Sequence, residues 1–323
     1  MSLTNVTVAV CTWNRVQLLA RTLQEFTRIH VDASMSWEAL VVDNGSTDGT
    51  SEFLAACRPD GFRLRWTTEQ RPGLSAARNR ALAESTSEFI LFVDDDVLID
   101  PNLLMVLRDA ARRHPEAAAF GGPVEPWFVA EPDPILASAF PALRRGFCGV
   151  DVSPVEMPLA AGQHVVGANM AFRKPHIEGL TFREDLGPRG VATVGGDEMD
   201  FQERIRARRG TIVWVPTMRV RHYVDPQRMT LDYLLRFSQD AGRKEIRLHG
   251  VPSGSRIGGV PRWLIGCTLK EHVRAMAEDV RLNRVQALVH RRKAAEFRGM
   301  VKECRSRYLQ DRHIEPALQT DRS

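Results

Sequence analysis

Three consecutive carboxylates, Asp94, Asp95 and Asp96, carry the clearest chemical signal in the chain. They follow the apolar run Phe89–Val93, which is typical of a strand buried on both faces because it has no polar alternation. Like charges at the end of a buried strand repel one another, and they are tolerated only where water, cationic side chains or a metal ion compensates them. Oxygen ligands of this kind suit Mg²⁺ or Mn²⁺, and through the ion a diphosphate. The sequence therefore predicts a metal-assisted phosphate site.

Four further stretches combine small, polar and charged side chains in a way that favours ligand binding. They are Cys11–Arg15, Val41–Thr50, Gln70–Arg80 and Gly195–Phe201. Each lies where a predicted strand passes into a loop or helix. Ligands of open α/β sheets bind at the carboxyl ends of the strands, so we expect the fold to gather these stretches at one rim.

The elements that must position these residues alternate between strand and helix. Strands are predicted near residues 6–10, 37–42, 63–67 and 89–93, and helices near residues 16–26 and 74–83. This alternation predicts an α/β fold with a doubly wound, mostly parallel sheet. Proline and glycine at 121–133 predict irregular structure, followed by a strand at 165–173 and a helix at 200–209.

Composition is that of a globular protein, but the charge is unevenly distributed. Hydrophobic residues make up 43% and charged residues 26% of the 323 positions. After residue 242 there are 18 Lys and Arg against 9 Asp and Glu, a net charge of +9, which leaves −5 for residues 1–242. The apolar spacing in the basic part predicts amphipathic helices. We therefore divide the chain into a main domain at 1–242 and a basic helical extension at 243–323.

The cysteine content and the hydropathy of the sequence indicate its cellular compartment. The five cysteines are far apart and form no CxxC pair, which argues against a zinc site or disulfides and for a reducing compartment. We see no signal peptide and no transmembrane-length apolar run. We expect a cytoplasmic protein, with peripheral contact of the basic extension at the inner face of a membrane as an open alternative. We expect no nucleic-acid partner, because no nucleic-acid-binding motif is visible.

In their order along the chain, the five stretches resemble the family 2 glycosyltransferases with the glycosyltransferase A-type fold. The resemblance covers about residues 5–245 and extends to Gly167–Arg173 and Arg221–Thr230. It implies a Rossmann-like sheet with the C-terminal helical extension outside the family domain. It further implies a nucleotide-sugar half at about 1–120 and an acceptor half at about 121–242.

The resemblance assigns donor binding to side chains in the first three stretches. They are Thr12, Asn14 and Arg15 in the first loop, Asp43 and Asn44 at the base or ribose, and Arg78 at the nucleotide or diphosphate. Two alternatives stay open. An Asn-Gly turn is the alternative explanation of Asp43 and Asn44, and Arg71 and Arg80 are competing phosphate ligands.

The triple aspartate matches the Asp-x-Asp pattern of the family. By resemblance, Asp96 binds the metal, Mn²⁺ or Mg²⁺, and Asp94 contacts the ribose or a metal-bound water. Asp95 is grouped with the donor-binding residues, with a structural role as its alternative. His222 resembles a histidine that some members offer as a further metal or diphosphate contact.

Asp197 and Glu198 depart from the family, in which the usual order is Glu-Asp and the Asp acts as base. Here the two are swapped, so that Glu198 occupies the base position. Either carboxylate is able to take the proton from an acceptor hydroxyl. We favour Glu198 as the catalytic base and keep Asp197 as its rival.

The expected activity is transfer of a sugar, with inversion, from a nucleotide-diphosphate sugar to a hydroxyl of a glycan or lipid-linked glycan. We expect the donor to be a UDP-sugar. Trp127 and Phe128 are candidate acceptor contacts, because sugar faces stack on aromatic rings. One rival is a sugar-phosphate nucleotidyltransferase, which should carry a glycine-rich first loop that Thr12–Arg15 does not provide. Another is a non-catalytic membrane or assembly adaptor on the same fold.

Overall fold

The computed structural model describes residues 4–187 and 196–319, with side chains described through residue 310. Gly195 of the fourth stretch lies outside the described residues. The chain divides into two compact units. The first runs to Trp127 and resumes at Cys148–Val224, and the second comprises Phe128–Phe147 and the residues from Asp225 onward. The division that we place at residue 242 stays a prediction of functional organisation.

Within the described residues, the strands form one large sheet and two small ones. In chain order they are β1 (Thr4–Thr12), β2 (Met35–Asp43), β3 (Arg63–Thr68), β4 (Phe89–Asp94), β5 (Val97–Ile99), β6 (Ala117–Gly121), β7 (Val124–Phe128), β8 (Met157–Pro158), β9 (Met170–Arg173), β10 (Thr211–Trp214), β11 (Val220–Val224), β12 (Arg256–Ile257) and β13 (Val260–Pro261). The large sheet has the order β3-β2-β1-β4-β9-β6-β10-β8, and β5-β11-β7 and β12-β13 form the small sheets.

The helices flank the large sheet in the first unit and make up most of the second. They are α1 (Val16–Phe26), α2 (Thr50–Ala56), α3 (Leu74–Glu84), α4 (Leu103–Arg113), α5 (Pro134–Ser138), α6 (Phe140–Leu143), α7 (Asp197–Ala207), α8 (Leu231–His249), α9 (Arg262–Val280) and α10 (Arg284–Gln319). No helix within residues 4–187 and 196–319 has both the length and the apolar character needed to cross a bilayer.

The predicted α/β architecture is confirmed, with a sheet of mixed direction. Strands β3, β2, β1 and β4 run parallel, as the strand and helix alternation predicts. Strand β9 runs antiparallel between β4 and β6. All residues of the run Phe89–Val93 are buried, because the central strand is covered on both faces.

Three local predictions need correction. The segment predicted as irregular contains β7, since proline and glycine do not prevent a short strand in a small sheet. The strand predicted from Val165 begins only at Met170, after a 3₁₀ turn at Gly167–Asn169. Helix α7 begins at Asp197, three residues before the prediction, because Gly196 with φ of 154° supplies its N-terminal turn.

The helical unit is held together by close backbone contact and a small apolar cluster. Ile246, Leu264 and Cys304, from three different helices, are fully buried in this cluster. A Cβ atom at Gly299 of α10 would collide with the Gln239 carbonyl of α8, so glycine allows the two helices to pack closely. Thr230 caps α8 by accepting a hydrogen bond from the backbone N–H of Tyr233 at 3.2 Å.

Candidate active site

Parallel strand register brings the first predicted residues to one edge of the sheet. Cys11, the residue before Thr12, is paired with Asp94 across β1 and β4, and Thr12 is paired with Asp43 across β1 and β2. Thr12, Asp43 and Asp94 are the last residues of their strands. The carboxyl ends of β1, β2 and β4 therefore lie together at one edge of the sheet, which is where ligands bind in open α/β sheets.

The small sheet brings His222 to the triple aspartate. Strand β5 directly follows Asp96, and β11 pairs with it so that His222 lies opposite Val97. The backbone N–H of Tyr223 donates to the Asp96 carbonyl at 2.9 Å. The pairing of two strands that are about 120 residues apart in sequence thus places the imidazole beside the carboxylates.

Asp94, Asp96 and His222 form a group that fits a divalent cation. One ligand atom from each lies within 4.8 Å of the others. The His222 Nε2 atom is 3.3 Å from Asp94 Oδ2 and 3.2 Å from Asp96 Oδ1. Asp96 Oδ1 is buried and, despite the nearby imidazole, forms no hydrogen bond of acceptable geometry among the described residues, which is costly unless a cation compensates it. Two carboxylates and one imidazole are a suitable donor set for Mn²⁺, and for Mg²⁺ with a poorer match to the nitrogen.

Asp95 is held by the protein rather than directed to a ligand. Its Oδ2 accepts a hydrogen bond from Thr12 Oγ1 at 2.7 Å, and its Oδ1 accepts one from Arg15 Nη1 at 2.9 Å. Arg15 Nη1 also contacts Asp96 Oδ2 at 2.7 Å. Three residues that we predict to bind the donor therefore bond one another, and Arg15 keeps a partly exposed guanidinium at the site.

Burial and charge set the proton affinities of this cluster. Burial raises the pKa of Asp95 to about 6, and the neighbouring Asp96 carboxylate adds to this effect. Burial opposes the charged form of His222, but Cys148, Asp96 and Asp94 raise its pKa well above the ordinary value. The raised pKa of His222 shows that the neighbouring carboxylates favour positive charge at this position.

The second stretch forms a braced loop around Asn14 and Asp43. The Asp43 carboxylate, which is 1% exposed, accepts from the Ser46 N–H and from Ser51 Oγ. Asn14 has a positive φ of 53°, and its Oδ1 accepts from the Thr47 N–H at 2.7 Å. The loop after β1 is thereby tied to the loop after β2.

Asn44 connects the same rim to the third stretch. Its amide donates to the carbonyls of Glu69 and Arg71, and its Oδ1 accepts from the Gly73 N–H at 2.8 Å. The side chain is thus occupied by loop bracing. Direct contact of Asp43 or Asn44 with a base stays a prediction.

Arg78 and Asp197 form a buried ion pair below the site surface. Their side chains are 4% and 2% exposed, and Nη1 lies 2.8 Å from Asp197 Oδ2. Ser75 Oγ donates to the same oxygen at 2.9 Å. The structure therefore places Arg78 against a carboxylate of α7 instead of leaving its guanidinium free for a diphosphate.

Glu198 is the more accessible carboxylate of the pair at the start of α7. Its side chain is 24% exposed, and its Oε2 accepts a hydrogen bond from the Gly167 N–H at 2.7 Å. Arg78 Nη2 lies 3.6 Å from the same oxygen. A Cβ atom at Gly167 would collide with Arg78 and approach Glu198 Oε2 to 2.8 Å, so glycine is needed there.

Sequence reasoning missed the surroundings of Trp127. The Arg21 guanidinium lies 3.8 Å from the Trp127 ring centroid, and Tyr223 meets the same indole edge to face at 5.7 Å. Tyr223 directly follows His222 in β11, where successive side chains point to opposite faces of the strand. The composition of Arg221–Val224 could have pointed to Tyr223, but nothing in α1 distinguishes Arg21.

Comparisons with known proteins agree with this architecture. Residues 7–126 match the model of the family described as Glycosyl transferase family 2. The succinoglycan biosynthesis protein ExoM of Rhizobium meliloti is 26% identical over 249 residues, which are 76% of this chain and 75% of that protein.

Two solved structures show the same fold. The mannosyltransferase PcManGT of Pyrobaculum calidifontis, in complex with GDP-Man and Mn²⁺, has a TM-score of 0.52 and 22% identity over 77% of this chain and 65% of its own. S. aureus TarS 1-349 in complex with UDP has a TM-score of 0.52 and 16% identity over 95% of this chain and 92% of its own. Residues 7–126 are therefore similar to the family 2 glycosyltransferases, and the fold is of the glycosyltransferase A type.

Proposed function

We propose that this chain is an inverting glycosyltransferase that moves a sugar from a nucleotide-diphosphate sugar to a hydroxyl of a glycan or lipid-linked glycan. Asp94, Asp96 and His222 hold a divalent cation, Mn²⁺ or Mg²⁺, and Glu198 is the general base. The observation that carries this proposal is the pairing of a cation-binding group at the sheet edge with an accessible carboxylate at the start of α7. A UDP-sugar is our first choice of donor.

The cation group supports assistance to the leaving nucleotide. Asp94 is the more exposed of the two carboxylates, whereas Asp96 is buried and its Oδ1 forms no hydrogen bond among the described residues. When bound, the cation stabilises negative charge on the departing diphosphate. Arg15 adds a partly exposed positive charge fixed by Asp95 and Asp96.

The start of α7 supports Glu198 as base over Asp197. Asp197 is committed to Arg78 and Ser75 in a buried pair, so that an acceptor hydroxyl has no access to its carboxylate. Glu198 is oriented by the Gly167 N–H and retains exposed surface. It takes the proton of the acceptor hydroxyl while that oxygen attacks the anomeric carbon, and the single displacement inverts the configuration.

The aromatic rings of Trp127 and Tyr223 support an acceptor surface. The two rings meet edge to face, and Arg21 covers one face of the indole. A sugar ring places its C–H face against such an aromatic surface. The Trp127 and Tyr223 pair is our candidate for the acceptor site.

Turnover with a donor panel tests the proposal. UDP-, GDP- and dTDP-sugars are incubated with the full chain, with and without Mn²⁺, and release of the nucleoside diphosphate is measured. We expect one donor class to be hydrolysed or transferred only when the cation is present. NMR of the product should show an anomeric configuration opposite to that of the donor sugar. Synthesis of a nucleotide sugar from a sugar phosphate would favour the nucleotidyltransferase. No turnover with any donor would favour the adaptor.

A further inference from the structure

Helix α9 presents an apolar row to solvent, here called the α9 stripe: Ile265, Leu269, Val273, Met276 and Val280. These side chains are between 42% and 85% exposed. Steps of four, four, three and four residues keep them on one helix face, over about 22 Å of helix length. A continuous row of this kind differs from the isolated apolar residues that are common on protein surfaces.

The opposite face of α9 already supplies the contacts that fold the helix onto its unit. Leu264, Glu271 and Ala275 are buried there. Glu271 Oε2 lies 2.7 Å from His290 Nδ1 of α10, which fixes the rotation of α9 about its axis. The stripe is therefore a second apolar face that the core of this unit does not use.

The charged residues around the α9 stripe indicate what kind of partner it binds. The exposed charged residues of α9 are all basic: Arg262, Lys270 and Arg274. Its carboxylates are buried or half-buried, and each is ion-paired: Glu271, Glu278 and Asp279. A second copy of α9 would bring further basic groups and no exposed carboxylate to meet them.

We infer that the α9 stripe is a membrane-docking face that lies in the interface of an anionic lipid bilayer. Apolar residues enter the boundary between headgroups and acyl chains, while Lys270 and Arg262 meet anionic headgroups. The indole of Trp263, 45% exposed at the start of the helix, suits the same interfacial depth. The α9 contact is independent of the proposed donor chemistry.

Vesicle co-sedimentation of the full chain tests this inference. Vesicles of phosphatidylcholine with about 30% phosphatidylglycerol are compared with pure phosphatidylcholine vesicles, at low and high salt. We expect binding to the anionic vesicles, weakened at high salt because the headgroup attraction is screened. The double variant Leu269→Asp/Met276→Asp should reduce this binding at least tenfold, and Lys270→Glu should also reduce it.

The matched control is Val155→Asp, which changes an apolar side chain of the first unit that is 61% exposed. It should bind vesicles like the parent chain. Thermal unfolding and donor turnover verify that all variants are folded, and light scattering reports their association state. Equal binding of the double variant and the control, or no vesicle binding by the parent, would overturn the inference. A dimer that the stripe variants abolish, without vesicle binding, would assign the stripe to a second copy.

Discussion

Substitutions of the two adjacent carboxylates at the start of α7 should have different effects: loss of Asp197 should lower stability, and loss of Glu198 should lower kcat. Replacing Asp197 by Asn leaves the guanidinium of Arg78 buried without its closest countercharge. Breaking a buried pair in this way costs about 3–5 kcal/mol, and Glu198 at 3.6 Å compensates part of it. We therefore expect a loss of about 3 kcal/mol, which corresponds to a fall of roughly 6 °C in Tm.

Replacing Glu198 by Gln should lower kcat and leave the stability almost unchanged. The Gln carbonyl still accepts from the Gly167 N–H, so the free energy of unfolding should change by less than about 0.5 kcal/mol. Loss of the base should lower kcat by about 10²- to 10⁴-fold, with donor affinity retained. Thermal unfolding, donor titration and steady-state kinetics measure the three quantities.

Asp200→Asn is the matched control, because it removes another acid from the first turn of the same helix. Its kcat should stay close to that of the parent, which separates proton transfer from the general effect of a negative charge at a helix start. A Glu198→Gln enzyme of undiminished rate would refute the assignment. Lost turnover in a fully stable Asp197→Asn enzyme would move the base to Asp197.

Three further outcomes follow from the same contacts. Gly167→Ala should lower kcat at least tenfold without weakening nucleotide binding, because its Cβ would collide with Arg78 and crowd the Glu198 carboxylate; an unchanged kcat contradicts these contacts. Trp127→Ala should raise the KM for the acceptor roughly tenfold, or about 1.4 kcal/mol, at an unchanged donor KM; an equal change in both argues against acceptor stacking. Hydrogen bonds from Arg65 hold the pKa of Glu38 below 4.5, so its stabilisation is present above that pH and lost as the pH falls through the lowered pKa. Urea unfolding of the parent and Glu38→Gln between about pH 6 and pH 3 should show their stability difference shrinking, and a constant difference contradicts the ion pair.

The parallel half of the fold could be predicted because its signals are local. The buried run Phe89–Val93 and the strand and helix alternation before it determine four neighbouring strands and the edge at which Asp94 lies. The direction of β9 could not be predicted, since strand pairing across about 80 residues depends on tertiary packing.

The sequence was sufficient to predict which residues belong to the candidate site, but not which side chains they contact. The Asp-x-Asp spacing and the position of His222 identified a group whose ligand atoms do converge. The burial of Arg78 against Asp197 was not predictable, because an arginine near a phosphate motif and one in a buried ion pair have the same sequence signature. The exposed α9 stripe was equally hidden, since apolar spacing alone does not reveal which helix face is covered.

Calorimetric titration of a nucleoside diphosphate into the full chain, with and without Mn²⁺, tests the central claim most directly. UDP, GDP and dTDP are each compared between the parent, Asp96→Asn and the control Asp225→Asn, a half-buried carboxylate that is not part of the cation group. We predict saturable binding of one nucleotide that requires Mn²⁺, persists in Asp225→Asn and is lost in Asp96→Asn. Binding that is indifferent to both the cation and Asp96 would contradict a cation clamp at Asp94, Asp96 and His222.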